Sequence, residues 1–307
     1  MSDGGTIASR PGDAGVPGGA DDETRTGPRG WLAQNRPLVI AYGLILVLVV
    51  AAGILSPGFV SPANLRQQLV LASFLGAIAA GQTIVVLTGG IDLSVAWNLN
   101  LAAILLTQLG GSGDGAGRLA YATAAALLAA TATGVVNGLG IAFLRIPPLV
   151  MTLGMNAVLL GLTLVYTNGS PQGRAPGFAR DLAIGRLAGV PYALMLWAVL
   201  GTVVIVTLRR SVFGRRLYAV GNNPRAAYLS GVPVRGVLVI AYAACGFCAG
   251  LTGILLTGYS SQSYLGMGDS YVLPSVAAVV IGGTSILGGS GGYTGTIAGA
   301  ITVVLLQ

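Results

Sequence analysis

The chain has 307 residues, 54% of them hydrophobic and 8% charged, with a net charge of +7 and a mean hydropathy of +0.80. Soluble domains average about 25% charged residues, so a water-soluble fold is excluded and most of the chain belongs in a bilayer. All 16 basic residues are arginine, and lysine and histidine are absent, which excludes a Walker A lysine, Ser-His or Cys-His nucleophiles, His-ligated metals and imidazole proton relays.

Residues 1–30 are rich in Gly, Asp, Arg and Pro without apolar periodicity, too polar to bury a core. With no secretory apolar region, residues 1–36 read as a disordered cytoplasmic tail, and the first span doubles as the targeting signal. Apolar spans follow at 38–55, 67–87, 93–109, 119–143, 149–166, 191–208, 236–257, 271–287 and 293–307, each near the ~17–25 residues a bilayer requires. With the N-terminus inside, eleven arginines fall on the cytoplasmic side and five opposite, as the positive-inside rule demands. Membrane orientation therefore accounts for the basic balance better than nucleic-acid binding does. The pairs Gly134–Gly138, Gly246–Gly250 and Gly295–Gly299 suit close helix packing. The expected fold is an all-α membrane protein, a polytopic bundle of about nine to ten spans with glycine-broken helices.

The most informative stretch is Gly81-Gln-Thr-Ile-Val-Val-Leu-Thr-Gly-Gly-Ile-Asp-Leu-Ser-Val95. Gly89-Gly90 interrupts an apolar run, and Asp92 is the one charged residue between Arg66 and Asp114. A charge at the bilayer centre costs roughly 2.5–3.5 kcal/mol even on a mild scale. Asp92 therefore caps a helix beginning near Leu93, or lines a polar path with Thr88, Ser94, Asn98 and Asn100, or does both. The break returns as Val279-Val-Ile-Gly-Gly-Thr-Ser-Ile-Leu-Gly-Gly289, at Gly282-Gly283. Gly288-Gly-Ser-Gly-Gly292 fits a hydrolase elbow, but without a histidine partner it reads as a helix break. Cys245 and Cys248 read as small apolar residues one turn apart rather than a redox pair.

The 209–235 loop carries more than anchoring arginines. Asn223-Pro224 can start a short helix, Arg-Ala-Ala-Tyr-Leu-Ser continues it, and Gly231 ends it. Such a helix lies on the membrane surface or docks into a cytoplasmic partner.

These segments, with Asn137-Gly, Leu144-Arg-Ile-Pro, Met151-Thr-Leu-Gly-Met155 and Gly221–Val234, resemble the permease subunit of bacterial ABC importers for monosaccharides of the ribose, xylose and galactose class. The resemblance implies a multi-pass inner-membrane protein, not an enzyme, with the permease domain at 37–307. It implies three partners: an ABC ATPase, an extracytoplasmic sugar-binding protein and a second permease subunit, as a homodimer. No cofactor or metal is expected in this chain; ATP and Mg belong to the ATPase. By the same resemblance, Asn222, Asn223, Arg225, Ala226, Ala227, Leu229, Ser230 and Gly231 form the ATPase-coupling surface. The chain departs from the pattern at Arg225 and Tyr228, where relatives often carry acidic and basic residues, and at Ala96-Trp97, where they carry small ones. It also ends at Gln307, inside its last span, where relatives continue through a further helix. Branched-chain amino acid permeases and proton-coupled secondary transporters are the alternative classes; the latter would need Asp92 as a coupling site.

Overall fold

The computed structural model describes residues 36–56, 58–111 and 115–307. The tail expected over 1–36 lies outside them but for Arg36, which opens the first helix. The helices run α1 (Arg36–Leu55), α2 (Pro62–Val86), α3 (Val95–Gly110), α4 (Ala116–Phe143) and α5 (Pro148–Thr167), then a short α6 (Gly177–Ile184). A two-residue hairpin, β1 (Arg186–Leu187) against β2 (Val190–Pro191), leads to α7 (Tyr192–Arg210), α8 (Val212–Asn222), α9 (Pro224–Leu229) and α10 (Val234–Ser260). A 3-10 turn at Asp269–Tyr271 precedes α11 (Val272–Ile281) and α12 (Tyr293–Leu306).

Five of these, α2, α4, α5, α7 and α10, are long and apolar enough to cross a membrane; four shorter apolar helices accompany them. α2 starts five residues earlier than its hydropathy suggests. Ser61 accepts the Asn64 N–H, and Pro62 fills the first helical position, where a missing N–H costs nothing. The span expected at 271–287 is a helix only to Ile281, because the glycine pair ends it.

α10 is the axis of the bundle, packed on α4, α2, α3 and α6, while α11 and α12 pair with each other and lie on α2. The α4–α10 contact is backbone on backbone. A Cβ on Gly134 would collide with the Tyr242 carbonyl, one on Gly246 with the Ala130 carbonyl, and one on Gly138 would lie 2.6 Å from Val239 Cα. Two of the sequence's small-residue pairs thus interleave with each other, and Gly295 and Gly299 press likewise on Gly282 and Ala278. A polar relay ties three helices: the Trp197 indole N–H donates to Tyr293 Oη (2.7 Å), which donates to the Gly76 carbonyl (2.7 Å). α5 lies at the periphery, with large apolar side chains such as Leu153, Leu162 and Val165 exposed.

Candidate functional site

α2 ends in a left-handed glycine turn. Gly89 has φ +81°; its N–H donates to the Val86 carbonyl (2.9 Å) and the Gly90 N–H to that of Val85 (3.4 Å). This is a Schellman cap, which favours glycine because only glycine adopts positive φ without strain. The second break copies it. Gly283 has φ +82°, its N–H donates to Val280 (2.8 Å), and the Thr284 N–H donates to Val279 (3.2 Å). The repeated sequence thus builds a repeated turn.

Beyond the first turn the chain runs non-helically through 90–93, and α3 begins only at Val95. Ser94, rather than Asp92, holds the N-cap position. Asp92 Oδ1 accepts both the Ser94 N–H (2.9 Å) and its hydroxyl (2.6 Å), an Asx-type turn feeding the helix. The extended backbone would leave unpaired groups in a dry core. Gln82 solves this: its amide donates to the Asp92 carbonyl (2.8 Å) and accepts the Asp92 N–H (3.3 Å). Asn137 of α4 donates to Ser94 Oγ (2.8 Å), and the Cys245 thiol of α10 points at Gln82 Oε1 (3.8 Å). Four elements meet in one polar knot.

Of the residues expected to line a path, Asp92, Ser94, Asn98 and Asn100 are fully buried within the subunit. Asp92 and Ser94 share the knot. Asn98 turns to the Ala130 carbonyl (3.0 Å), and neither amide atom of Asn100 has a partner among the described residues. Thr88 is half-buried and bonds only its own helix, at Val85 O (2.7 Å). Gln82 and Asn137 were missed by sequence reasoning. Their signal is the same one that exposed Asp92: a polar group inside an apolar span is costly unless paired.

The 209–235 loop holds two helices. Ser211 caps α8 through the Gly214 N–H (3.0 Å), and α8 turns Gly214, Leu217 and Val220 inward. Asn223 caps α9, accepting the Arg225 and Ala226 N–H groups, each at 3.0 Å. Gly231 (φ +78°) closes it with a third Schellman turn, the Val232 N–H donating to Ala227 (3.0 Å). Ala227 faces in, whereas Asn222, Asn223, Arg225, Ala226, Leu229 and Ser230 are exposed; Tyr228 and Leu229 are 71% and 79% exposed. Two large apolar side chains thus stand exposed beside an arginine on a turn capped at both ends.

Cys245 and Cys248 are free, buried thiols one turn apart on α10. Among the described residues, no group of three or more acidic or cysteine side chains is placed to hold a metal.

A family profile described as "Branched-chain amino acid transport system / permease component" matches residues 64–307. The ribose import permease of Escherichia coli (strain K12) is 36% identical over 283 residues, covering 91% of this chain and 86% of that protein. The ribose import permease of Bacillus subtilis (strain 168) is 36% identical over 266 residues, covering 86% and 81%. The autoinducer 2 import system permease of Escherichia coli O157:H7 is 32% identical over 267 residues, covering 87% and 77%. No solved structure matches the chain.

Proposed function

The chain belongs to the branched-chain amino acid transport system / permease component family, as an ABC-type monosaccharide importer permease, and we propose that it couples sugar passage to a separate ATPase through the 209–235 loop. It is a transport subunit and not an enzyme. The observation that carries the coupling reading is α9, a six-residue helix capped at both ends that presents Arg225, Tyr228 and Leu229 outward. Isolated helices this short are unstable in water; the caps and Ala227 hold this one ready for a partner. In this reading ATP and Mg stay on the ATPase, a binding protein delivers the sugar from outside, and two permease subunits assemble as a homodimer. The ribose permeases among the relatives favour a ribose-class sugar.

The N-terminus is cytoplasmic in this proposal, the protein sits in the bacterial inner membrane, and residues 37–307 act as one permease domain. The shorter helices complete their crossings with the non-helical chain beside them. Ser263 Oγ meets Thr107 Oγ1 (2.7 Å) near the end of α3, while Gly268 lies against Ala96 near its start. Residues 263–268, which include a turn at 264–267, therefore run back alongside α3 before α11 begins. This pairing supports nine crossings by the described residues. Asp92, Ser94 and Asn98 shape the path by fixing α3 from behind through their hydrogen bonds, with Asn100 buried further along the helix and Thr88 at the break beside them.

A cysteine at Arg225 is expected to cross-link to the co-purified ATPase, and Arg225→Glu to cut ATPase recovery at least about tenfold, as loss of a central interface charge does. Cross-linking from distal loops but not from 225 would remove the coupling assignment. Asp92→Asn keeps an oxygen for the Ser94 donors, so uptake should stay within about twofold of wild type, a sub-kcal/mol change. Abolished uptake together with dependence on a proton gradient would instead identify a proton-coupled transporter.

A further inference from the structure

The end of α8 is set between the two broken spans. A Cβ on Gly221 would collide with the Leu87 carbonyl at the end of α2 and lie 3.1 Å from Gly289 Cα. The same Leu87 carbonyl accepts the Gly289 N–H (3.0 Å), so the first break is bonded directly to the second. Gly288 rests on Gly89: its Cβ would lie 2.7 Å from the Gly89 nitrogen and 3.1 Å from the Gly221 oxygen. The Asn222 side chain covers Gly289, and Tyr218, one turn earlier on α8, donates its hydroxyl to the Gly291 carbonyl (2.9 Å).

Three segments distant in sequence therefore touch through their backbones, with no side chain between them at Gly89, Gly221 and Gly288. Side chains absorb small displacements by changing rotamer; backbone in close contact transmits them. One residue, Asn223, separates this contact from α9. On the other side lies a cavity of about 140 Å³, lined by Gly89, Gly90, Val220, Pro224, Leu238 and Tyr242. The junction thus has hard contact on one side and room to move on the other.

The geometry points to Tyr218, Gly221 and Asn222 as positioning residues that carry displacement of α9 into both broken spans, Thr88–Gly90 and Gly282–Gly292, through a single backbone junction. The inference rests on the proposed docking of α9 to the ATPase. It assigns these residues to transmission, not to docking.

The test uses the full complex with ATPase and binding protein in proteoliposomes, measuring ATPase recovery, ATP hydrolysis and sugar uptake in parallel. Tyr218→Phe removes one hydroxyl from a side chain that is only half-buried, and Gly221→Ala adds the obstructing methyl. Both variants should retain ATPase at the wild-type ratio. Uptake per ATP hydrolysed should fall about threefold for Tyr218→Phe, the loss of one hydrogen bond, and at least about tenfold for Gly221→Ala. A general folding defect lowers uptake and hydrolysis together and so leaves uptake per ATP unchanged, which separates it from lost transmission; the sugar concentration giving half-maximal uptake should not move. If Gly221→Ala fails to accumulate, Tyr218→Phe decides alone. Wild-type uptake per ATP, or loss of the ATPase from either variant, overturns the inference. Arg225→Glu in the same preparation separates the two levels. If it releases the ATPase while Tyr218→Phe and Gly221→Ala stay fully coupled, only the inference fails; if it stays bound and coupled, the docking reading fails and takes the inference with it.

Discussion

Replacing Gln82 with leucine should deprive the fold of about 2–6 kcal/mol, because the Asp92 N–H and carbonyl would each be left unpaired in the core at roughly 1–3 kcal/mol apiece. Gln82 and Asp92 are both fully buried, and among the described residues no other partner satisfies the Asp92 backbone in its place. At its upper end the loss equals the stability of a marginal domain, the lower end of the usual range of about 5–15 kcal/mol. Purified Gln82→Leu protein should melt far below wild type or fail to accumulate in membranes. Thr88→Ala is the matched comparison six residues away: its hydroxyl bonds only its own helix, so its effect should stay within about 0.5 kcal/mol. A wild-type melting curve for Gln82→Leu would show that the break does not depend on this amide.

Gly134→Val should be comparably severe for a different reason. Its branched side chain would drive α4 away from the Tyr242 carbonyl and the Ala243 backbone of α10. In a bilayer, helices associate through packing and interhelical hydrogen bonds rather than through a hydrophobic drive. Separating two helices packed backbone on backbone therefore forfeits the force that joins them, and overpacking of this kind costs about 1–3 kcal/mol or more. Gly154→Ala on α5 is the control, since nothing lies within 4 Å of its Cβ. The expected outcome is a severalfold drop in folded, membrane-inserted Gly134→Val protein against an unchanged level of Gly154→Ala. Equal levels would refute close α4–α10 packing.

Much of the helical architecture was legible in the sequence for a physical reason: lipid imposes a length on every apolar run, and helices lie on the expected segments, five of them long and apolar enough to cross a membrane. What hydropathy could not register was local backbone chemistry. The expected span 271–287 is largely apolar up to Ile281 and apolar again at Ile286-Leu287, yet the left-handed turn at Gly283 stops the helix at Ile281. α8 stayed hidden because its inward face is only Gly214, Leu217 and Val220 among arginines. Nor could the sequence separate α2, buried on nearly all sides, from the peripheral α5. In a bilayer both lipid-facing and protein-facing surfaces are apolar, so periodicity carries no inside-outside signal.

The polar knot shows the same limit at the level of single residues. Asp92 stood out by charge alone. Its partners did not, because Gln82 reaches it from the preceding helix and Asn137 reaches Ser94 from α4, 43 residues along the chain. Only the fold brings those groups together. Asp92, Ser94, Asn98 and Asn100, expected to line a path, are all buried within the subunit, and the first three hold hydrogen bonds there. In the loop, by contrast, Asn223, Pro224 and Gly231 act locally, and their caps could be read directly from residue type.

Sugar uptake by the purified permease, reconstituted with its ATPase and binding protein, tests the central claim most directly. Labelled monosaccharide should accumulate only when ATP and binding protein are both present, and collapsing the proton gradient should leave the rate unchanged. Accumulation driven by a proton gradient in the absence of the ATPase would contradict it.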